Sequence, residues 1–317
     1  MTVIATSIFW VILGAILFKF RFVPSKLPKL IGRSLYWVGL PIQIFALAYK
    51  SNFATAIWVP PITTIQVLLL GLVLASLSLN YLKPLTYDLL KNKLSDQVFP
   101  KNRPSQGSFI LASMLGSTGY LGMSVVPAFV NRDYVSWIVL YGVTHILLGS
   151  YGLGVFLASY FGRTQQENRW CNLLRDLLSV PSLWAFAIGW CSHDVAFPKI
   201  IDSGLSTCVL FVIPGAFLLT GMQLIQLQGT KSLQLALLPA TIKMLFLPLL
   251  AGLGLTVTGV MGDARLTLVL MSGMPTANTN LILAEEYNLD RQVAAGSILL
   301  STLMLPFMIP LWEILFK

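Results

Sequence analysis

The stretch Met271–Glu286 reads MSGMPTANTNLILAEE. It lies in an apolar segment long enough to cross a bilayer, yet it carries Gly273, Pro275, Thr276, Asn278, Thr279 and Asn280 in its middle. A proline has no amide hydrogen to donate, and its ring clashes with the preceding turn. Amide side chains at membrane depth are costly unless they find partners. Irregular backbone persists there only where protein buries it or water lines it. The stretch therefore predicts a helix broken at its centre, with the break facing a polar cavity, which is where secondary transporters hold their substrates. The alternative is a Pro-kinked helix whose polar groups satisfy only one another.

The rest of the chain supports a membrane setting. Of its 317 residues, 56% are apolar and only 10% are charged, against roughly 25% charged in a soluble domain. The mean hydropathy is +0.78. Ten spans are expected, at 3–20, 31–49, 58–81, 107–130, 134–160, 180–193, 200–225, 233–258, 265–286 and 291–315. At ~20 residues each they leave short loops and no sizeable soluble domain. Turn signals punctuate them at PSKLPK (24–29), KNRPSQG (101–107) and GRTQQENR (162–169). The formal charge of +9 fits membrane orientation better than nucleic acid. On one side of the alternating loops lie Lys19, Arg21, Lys26, Lys29, Arg33, Lys83, Lys91, Lys93, Lys101, Arg103, Arg163, Arg169, Arg175, Lys231 and Arg291. Only Lys50, Arg132, Lys199, Arg265 and Lys317 lie on the other. The positive-inside rule then makes this a multi-pass protein of the cell (plasma or inner) membrane with both termini outside. The basic residues follow the first apolar run and do not precede it, so that run is expected to stay as a helix.

The two halves echo each other. Pro41 in the second span matches Pro214 in the seventh, and the Gly- and Ser-rich fourth span matches the Pro- and Asn-rich ninth. A repeat of five spans is odd, so the second copy must be inverted. The expected architecture is an all-α polytopic membrane protein of ten transmembrane helices in two inverted five-helix repeats. Broken helices four and nine cross at the midplane. Residues 1–160 form the first repeat, 161–179 a cytoplasmic linker and 180–317 the second repeat.

In the fourth span, Gly116, Gly119 and Gly122 make either a smooth packing face or a second break opposite the first. In the second case Ser117, Thr118 and Ser124 supply hydroxyls. Half-helices that begin at such a gap direct free amides and positive partial charge into it, which favours an anion; the opposing ends favour a cation. Lys243 stands about ten residues into span eight, deep enough that snorkelling is strained. It is read as a counter-charge for substrate or as a partner of Glu285 or Glu286. Those two glutamates otherwise are an interfacial cap of span nine or, if one is buried, a proton relay, and His145 is a proton carrier or a satisfied interior residue. Gln43, beside Pro41, is expected to line the same cavity.

Several chemistries are excluded. Three cysteines (Cys171, Cys191, Cys208) without CxxC, and two histidines (His145, His193), provide neither a disulfide framework nor metal-ligand spacing. HExxH, GxSxG and a phosphate-binding loop are all absent. No enzyme activity, cofactor or metal is expected.

Three motifs, YWVGLPIQIFAL (36–47), GSTGYLGMSVVP (116–127) and MPTANTNLILAEEYNLDRQVAAGSILLSTLMLP (274–306), carry a resemblance. With them the chain resembles the auxin efflux carrier family, which contains the plant PIN proteins and many bacterial permeases within the bile-acid and auxin type of transporter. The resemblance implies a ten-helix carrier of two inverted repeats whose helices four and nine cross at unwound centres. It implies alternating access by an elevator-like motion, and organic-anion substrates such as auxin, malate or malonate. Two departures stand out. Ser117 occupies a position where the family usually has Asn, and Ser124 one where it usually has Pro, leaving Pro127 to break the helix one turn later. The long cytoplasmic loop of the plant members is absent.

The reading is thus a secondary transporter (permease) of a small organic anion or carboxylate, with export ahead of import. Its site is built from Ser117, Thr118, Ser124, Pro275, Thr276, Asn278, Asn280, Gln43 and Lys243. Its partners are that anion and the lipid bilayer, with no nucleic acid; a homodimer stays open. A sodium-coupled importer of bile-acid-carrier type, with Asn278, Glu285 and hydroxyls as ligands, and a non-transporting membrane receptor are the alternatives.

Overall fold

The computed structural model describes residues 2–24, 26–50, 57–82, 84, 98–162, 181–192, 195, 197–225 and 230–317. Apart from one isolated β-bridge, all regular structure among them is helical. The first helices in chain order are α1 (Thr2–Lys19), α2 (Leu27–Lys50), α3 (Val59–Leu82), α4 (Arg103–Met114), α5 (118–128) and α6 (Arg132–Phe161). They are followed by α7 (Pro181–Cys191), α8 (Lys199–Ile225), α9 (230–257), α10 (Gly262–Ser272), α11 (Thr279–Glu286) and α12 (Arg291–Phe316). Six of these, α2, α3, α6, α8, α9 and α12, contain runs long and apolar enough to cross a membrane. The chain is an all-helical polytopic membrane protein. Lys83, Lys91, Lys93, Arg163, Arg169, Arg175, Cys171, His193 and linker residues 163–179 lie outside the described residues.

The helices carry their polar groups in the way an apolar solvent demands. Thr63, Thr64, Ser78, Ser113, Thr220, Thr256, Thr267, Ser297 and Thr302 each donate a hydroxyl hydrogen to the carbonyl four residues earlier, at 2.6–2.8 Å. A hydroxyl folded back on its own helix needs no water. The outward faces are apolar. Ile62, Leu69 and Val73 on α3, Leu210 and Phe211 on α8, and Phe307 and Ile314 on α12 are all exposed. In water such patches would invite association; against lipid tails they are the expected surface.

The helices sort into two groups. In one, α1, α2, α7 and α8 pack on one another. In the other, α3, α4, α6, α9, α10 and α12 enclose the larger cores. Contacts between the groups run mainly from α2, α7 and α8 to α5 and α6, and Leu40, Ile44 and Phe217 of the first group are buried in a core shared with the second. In the first group α1 and α8 touch backbone to backbone. A Cβ at Gly14 would overlap the carbonyl oxygen of Leu218, and one at Gly221 that of Val11, so only glycine permits this approach.

Two helices are interrupted. α4 ends at Met114 and α5 resumes at Thr118; α10 ends at Ser272 and α11 resumes at Thr279. α4 starts firmly, with the Asn102 side chain accepting from the Ser105 amide at 2.9 Å and Pro104 in the first turn. At its other end Leu115 turns extended, with φ −87° and ψ 120°. The fourth span, expected as 107–130, is thus interrupted at its glycine-rich part beside Gly116, and Pro127 is not the breaker. The break falls upstream at 115–117, and Pro127 instead sits in a 3-10 turn, Val126–Ala128, that closes α5. The upstream break follows from what Gly116 must approach.

Candidate functional site

The two interruptions lie against each other. Gly116 and Thr276 form an antiparallel bridge. The Ser117 amide donates to the Pro275 carbonyl at 2.6 Å, and the Ala277 amide donates to the Leu115 carbonyl at 3.0 Å. Unwinding a helix orphans amides and carbonyls, and in an apolar interior each orphan is costly. Here one break satisfies the other.

Other elements take up what the bridge leaves. The Thr276 amide donates to Ser301 Oγ at 3.0 Å, and Thr276 Oγ1 donates to the Ala112 carbonyl in the last turn of α4 at 3.0 Å. The Gly116 amide donates to His145 Nε2 at 3.2 Å. Lys243, from a π turn of α9 (Ile242–Phe246), donates its ammonium hydrogen to the Ser272 carbonyl at the end of α10, at 2.9 Å. A Cβ built on Gly116 would stand 2.8 Å from Lys243 Cε and 2.9 Å from Nζ. Gly116 is therefore needed for contact with the lysine as well as with the second strand of the bridge.

Beside the bridge is a cavity of about 50 Å³. It is lined by residues 116–120 of one break, Ala277, Asn278 and Thr279 of the other, His145, Ile146, Ser150 and Tyr151 of α6, and Leu40 of α2. It therefore lies on the seam between the two helix groups. The space suits a few waters or a very small ligand; drug-sized ligands occupy roughly 300–1,000 Å³. Two lining residues carry buried polar atoms with no protein partner, Thr118 Oγ1 and Thr279 Oγ1; both Oδ1 and Nδ2 of the neighbouring Asn280, a residue only 1% exposed and outside the lining, are likewise unpartnered. Each such atom costs about 1–3 kcal/mol when nothing binds it. The hydroxyl of Tyr141, whose ring stacks on His145 with centroids 6.4 Å apart, is a further one. The first amides of α11 are taken up locally: Asn280 donates to the Ala277 carbonyl at 3.0 Å, and Leu281 and Ile282 donate to the Asn278 carbonyl at 3.1 and 3.4 Å.

The residues singled out in the sequence occupy distinct places. Ser117, Thr118 and Asn278 line the cavity. Pro275 and Thr276 form the bridge itself, and Asn280 is buried as the second residue of α11. Gln43 and Ser124 are not part of the lining. Gln43 Nε2 donates to Ser124 Oγ at 3.0 Å, joining α2 to α5 across the seam, and Ser124 Oγ donates to the Tyr120 carbonyl. Lys243 touches Gly116, which does line the cavity, but does not line it itself. The pairing of Lys243 with Glu285 or Glu286 is corrected. Glu285 is bound to Arg291 at 2.5 Å near the exposed end of α11, and Glu286 is exposed. Thr279, noted in the broken stretch but not placed in the site, also lines the cavity, while Ser150, Tyr151 and Ser301 carried no signal in the sequence. Ser301 lies in the AAGSILLST run, but a hydroxyl that accepts from a backbone amide far along the chain has no local signature.

No protein-family model matches the chain. Over nearly its whole length it is similar to a protein of Methanocaldococcus jannaschii described as an uncharacterized transporter. The two are 23% identical over 324 residues, which covers 98% of this chain and 97% of that protein.

Proposed function

We propose that the protein is a secondary transporter of small organic anions, carboxylates first, working by alternating access. The observation that carries this reading is the pair of interrupted helices bridged at Gly116 and Thr276, beside a cavity with unpartnered polar atoms. A closed structural protein has no reason to leave Thr118, Thr279 and Asn280 unpaired, whereas a carrier uses such groups for cargo. The full-length similarity to a described transporter supports the same class. In this reading the bridge is the midplane crossover of two inverted five-helix repeats, 1–160 and 180–317, in a cell membrane with both termini outside.

The anion preference rests on charge. The start of α11 is the positive end of its dipole, and Lys243 adds a buried basic side chain behind Gly116. The sorting of the helices into two groups favours an elevator-like slide. The group carrying the bridge would move against α1, α2, α7 and α8, with Leu40 forming the fixed wall of the cavity.

Thermal unfolding of the purified protein against a panel of mono- and dicarboxylates tests the site, with wild type and Asn280→Ala side by side. A ligand that binds only the folded state raises the midpoint by mass action. The expected outcome is a carboxylate that stabilises wild type and leaves the variant unmoved. Stabilisation by neutral or cationic compounds alone would overturn the anion assignment. Uptake of the stabilising compound into proteoliposomes separates a carrier from a receptor.

A further inference from the structure

Lys243 is 0% exposed, and among the described residues no acidic side chain lies within ion-pair distance of it. A buried ammonium without a counter-ion is costly and calls for a role. Its position suggests one. The last carbonyls of a helix have no intrahelical donor and carry the negative end of its dipole. At the end of α10 the Val269 carbonyl is taken by the Gly273 amide and by Ser272 Oγ, the Pro275 carbonyl by the Ser117 amide, and the Ser272 carbonyl by Lys243. The Met274 carbonyl oxygen stands 3.2 Å from a Cβ built on Gly116, the same point that lies 2.9 Å from Lys243 Nζ. In carriers that couple to a cation, the carbonyls of an unwound stretch and of a half-helix C-terminus are the groups that hold the ion.

We propose that Lys243 is a tethered cation: its ammonium takes the carbonyl-lined place where a coupling ion would sit. The carrier therefore turns over without sodium, and shortening Lys243 opens that place to a free monovalent cation. The inference rests on the transporter reading and deepens it by naming what occupies the cation position. It also sets this chain apart from a sodium-coupled importer built on the same junction. The Lys243 side chain is tethered to the chain, so the place it occupies stays filled whether or not cargo is bound.

The test is thermal unfolding of the full chain in detergent, for wild type, Lys243→Ala and Lys243→Gln. Each is measured in chloride salts of choline, sodium, potassium and methylammonium at equal ionic strength. Wild type is expected to melt at the same temperature in all four. Both variants are expected to melt lowest in choline. Sodium should raise both variants, and methylammonium the alanine variant, by on the order of 2 °C at tenfold over Kd. Glutamine keeps the length and a donor for the Ser272 carbonyl, so it carries the test if the alanine protein does not fold. A sodium response in wild type, or folded variants indifferent to every cation, would overturn the proposal. The series contains no carboxylate, so its failure leaves the anion reading standing, and failure of the carboxylate panel leaves this series readable.

Discussion

Replacing Ser301 with alanine removes one atom and isolates one amide. Ser301 Oγ accepts from the Thr276 amide at 3.0 Å while donating to the Ser297 carbonyl at 2.6 Å. The second bond adds little, because that carbonyl keeps its helical donor. The first has no substitute, since Thr276 is outside any helix and buried. The loss is the desolvation cost of a buried unpaired amide, about 1–3 kcal/mol. Ser297→Ala is the matched control. Ser297 lies one turn earlier on α12, is equally buried at 0% exposed, and bonds only the Val293 carbonyl of its own helix. At about 2 °C per kcal/mol for a chain of this size, Ser301→Ala should melt ~2–6 °C below Ser297→Ala. Tryptophan fluorescence scans at one heating rate read the difference. If the two variants melt within ~1 °C of each other, the junction does not draw its stability from α12, and the account of how the break is held fails.

Gly116→Ala forces a methyl group to within 2.8 Å of Lys243 Cε and 3.2 Å of the Met274 carbonyl oxygen. The lysine is enclosed and cannot swing clear, so a loss of about 1–3 kcal/mol from overpacking is expected, together with a lost response to carboxylates in the same melting assay. Asp290→Ala removes the cap that accepts from the Gln292 and Val293 amides and from the Ser105 hydroxyl. Chemical unfolding should show it about 1 kcal/mol less stable, while uptake per folded molecule, read in proteoliposomes, stays unchanged because Asp290 is remote from the cavity.

The membrane-spanning, all-helical character was legible because apolar runs of bilayer length leave few other folds. The interruption in Met271–Glu286 was legible for a local reason: Pro275 cannot donate, and the flanking amide side chains are out of place in lipid. The interruption at 115–117 carried a weaker signal. Glycines at 116, 119 and 122 read equally as a packing face, and what decides between the readings is a lysine and a proline carbonyl from distant segments. The partner of Lys243 was illegible for the same reason. It is a main-chain carbonyl, which every residue has, so attention went to Glu285 and Glu286. Gln43 was placed near the cavity from its neighbour Pro41, but α2 presents Leu40 there and turns Gln43 toward Ser124.

The Gly116–Thr276 bridge is made of main-chain atoms, and this separates architecture from selectivity. The bridge's own bonds join peptide donors and acceptors, and the side chains that buttress it, Ser301, Thr276, His145 and Lys243, are different from the unpartnered ones beside the cavity. Thr118, Thr279 and Asn280 make no hydrogen bond through their side-chain polar atoms within the protein, and changing them dismantles nothing. A scaffold arranged in this way can change what its cavity accepts by drift at a few positions while the bridge stays intact. The same independence makes it a practical starting frame for retuning what a carrier accepts.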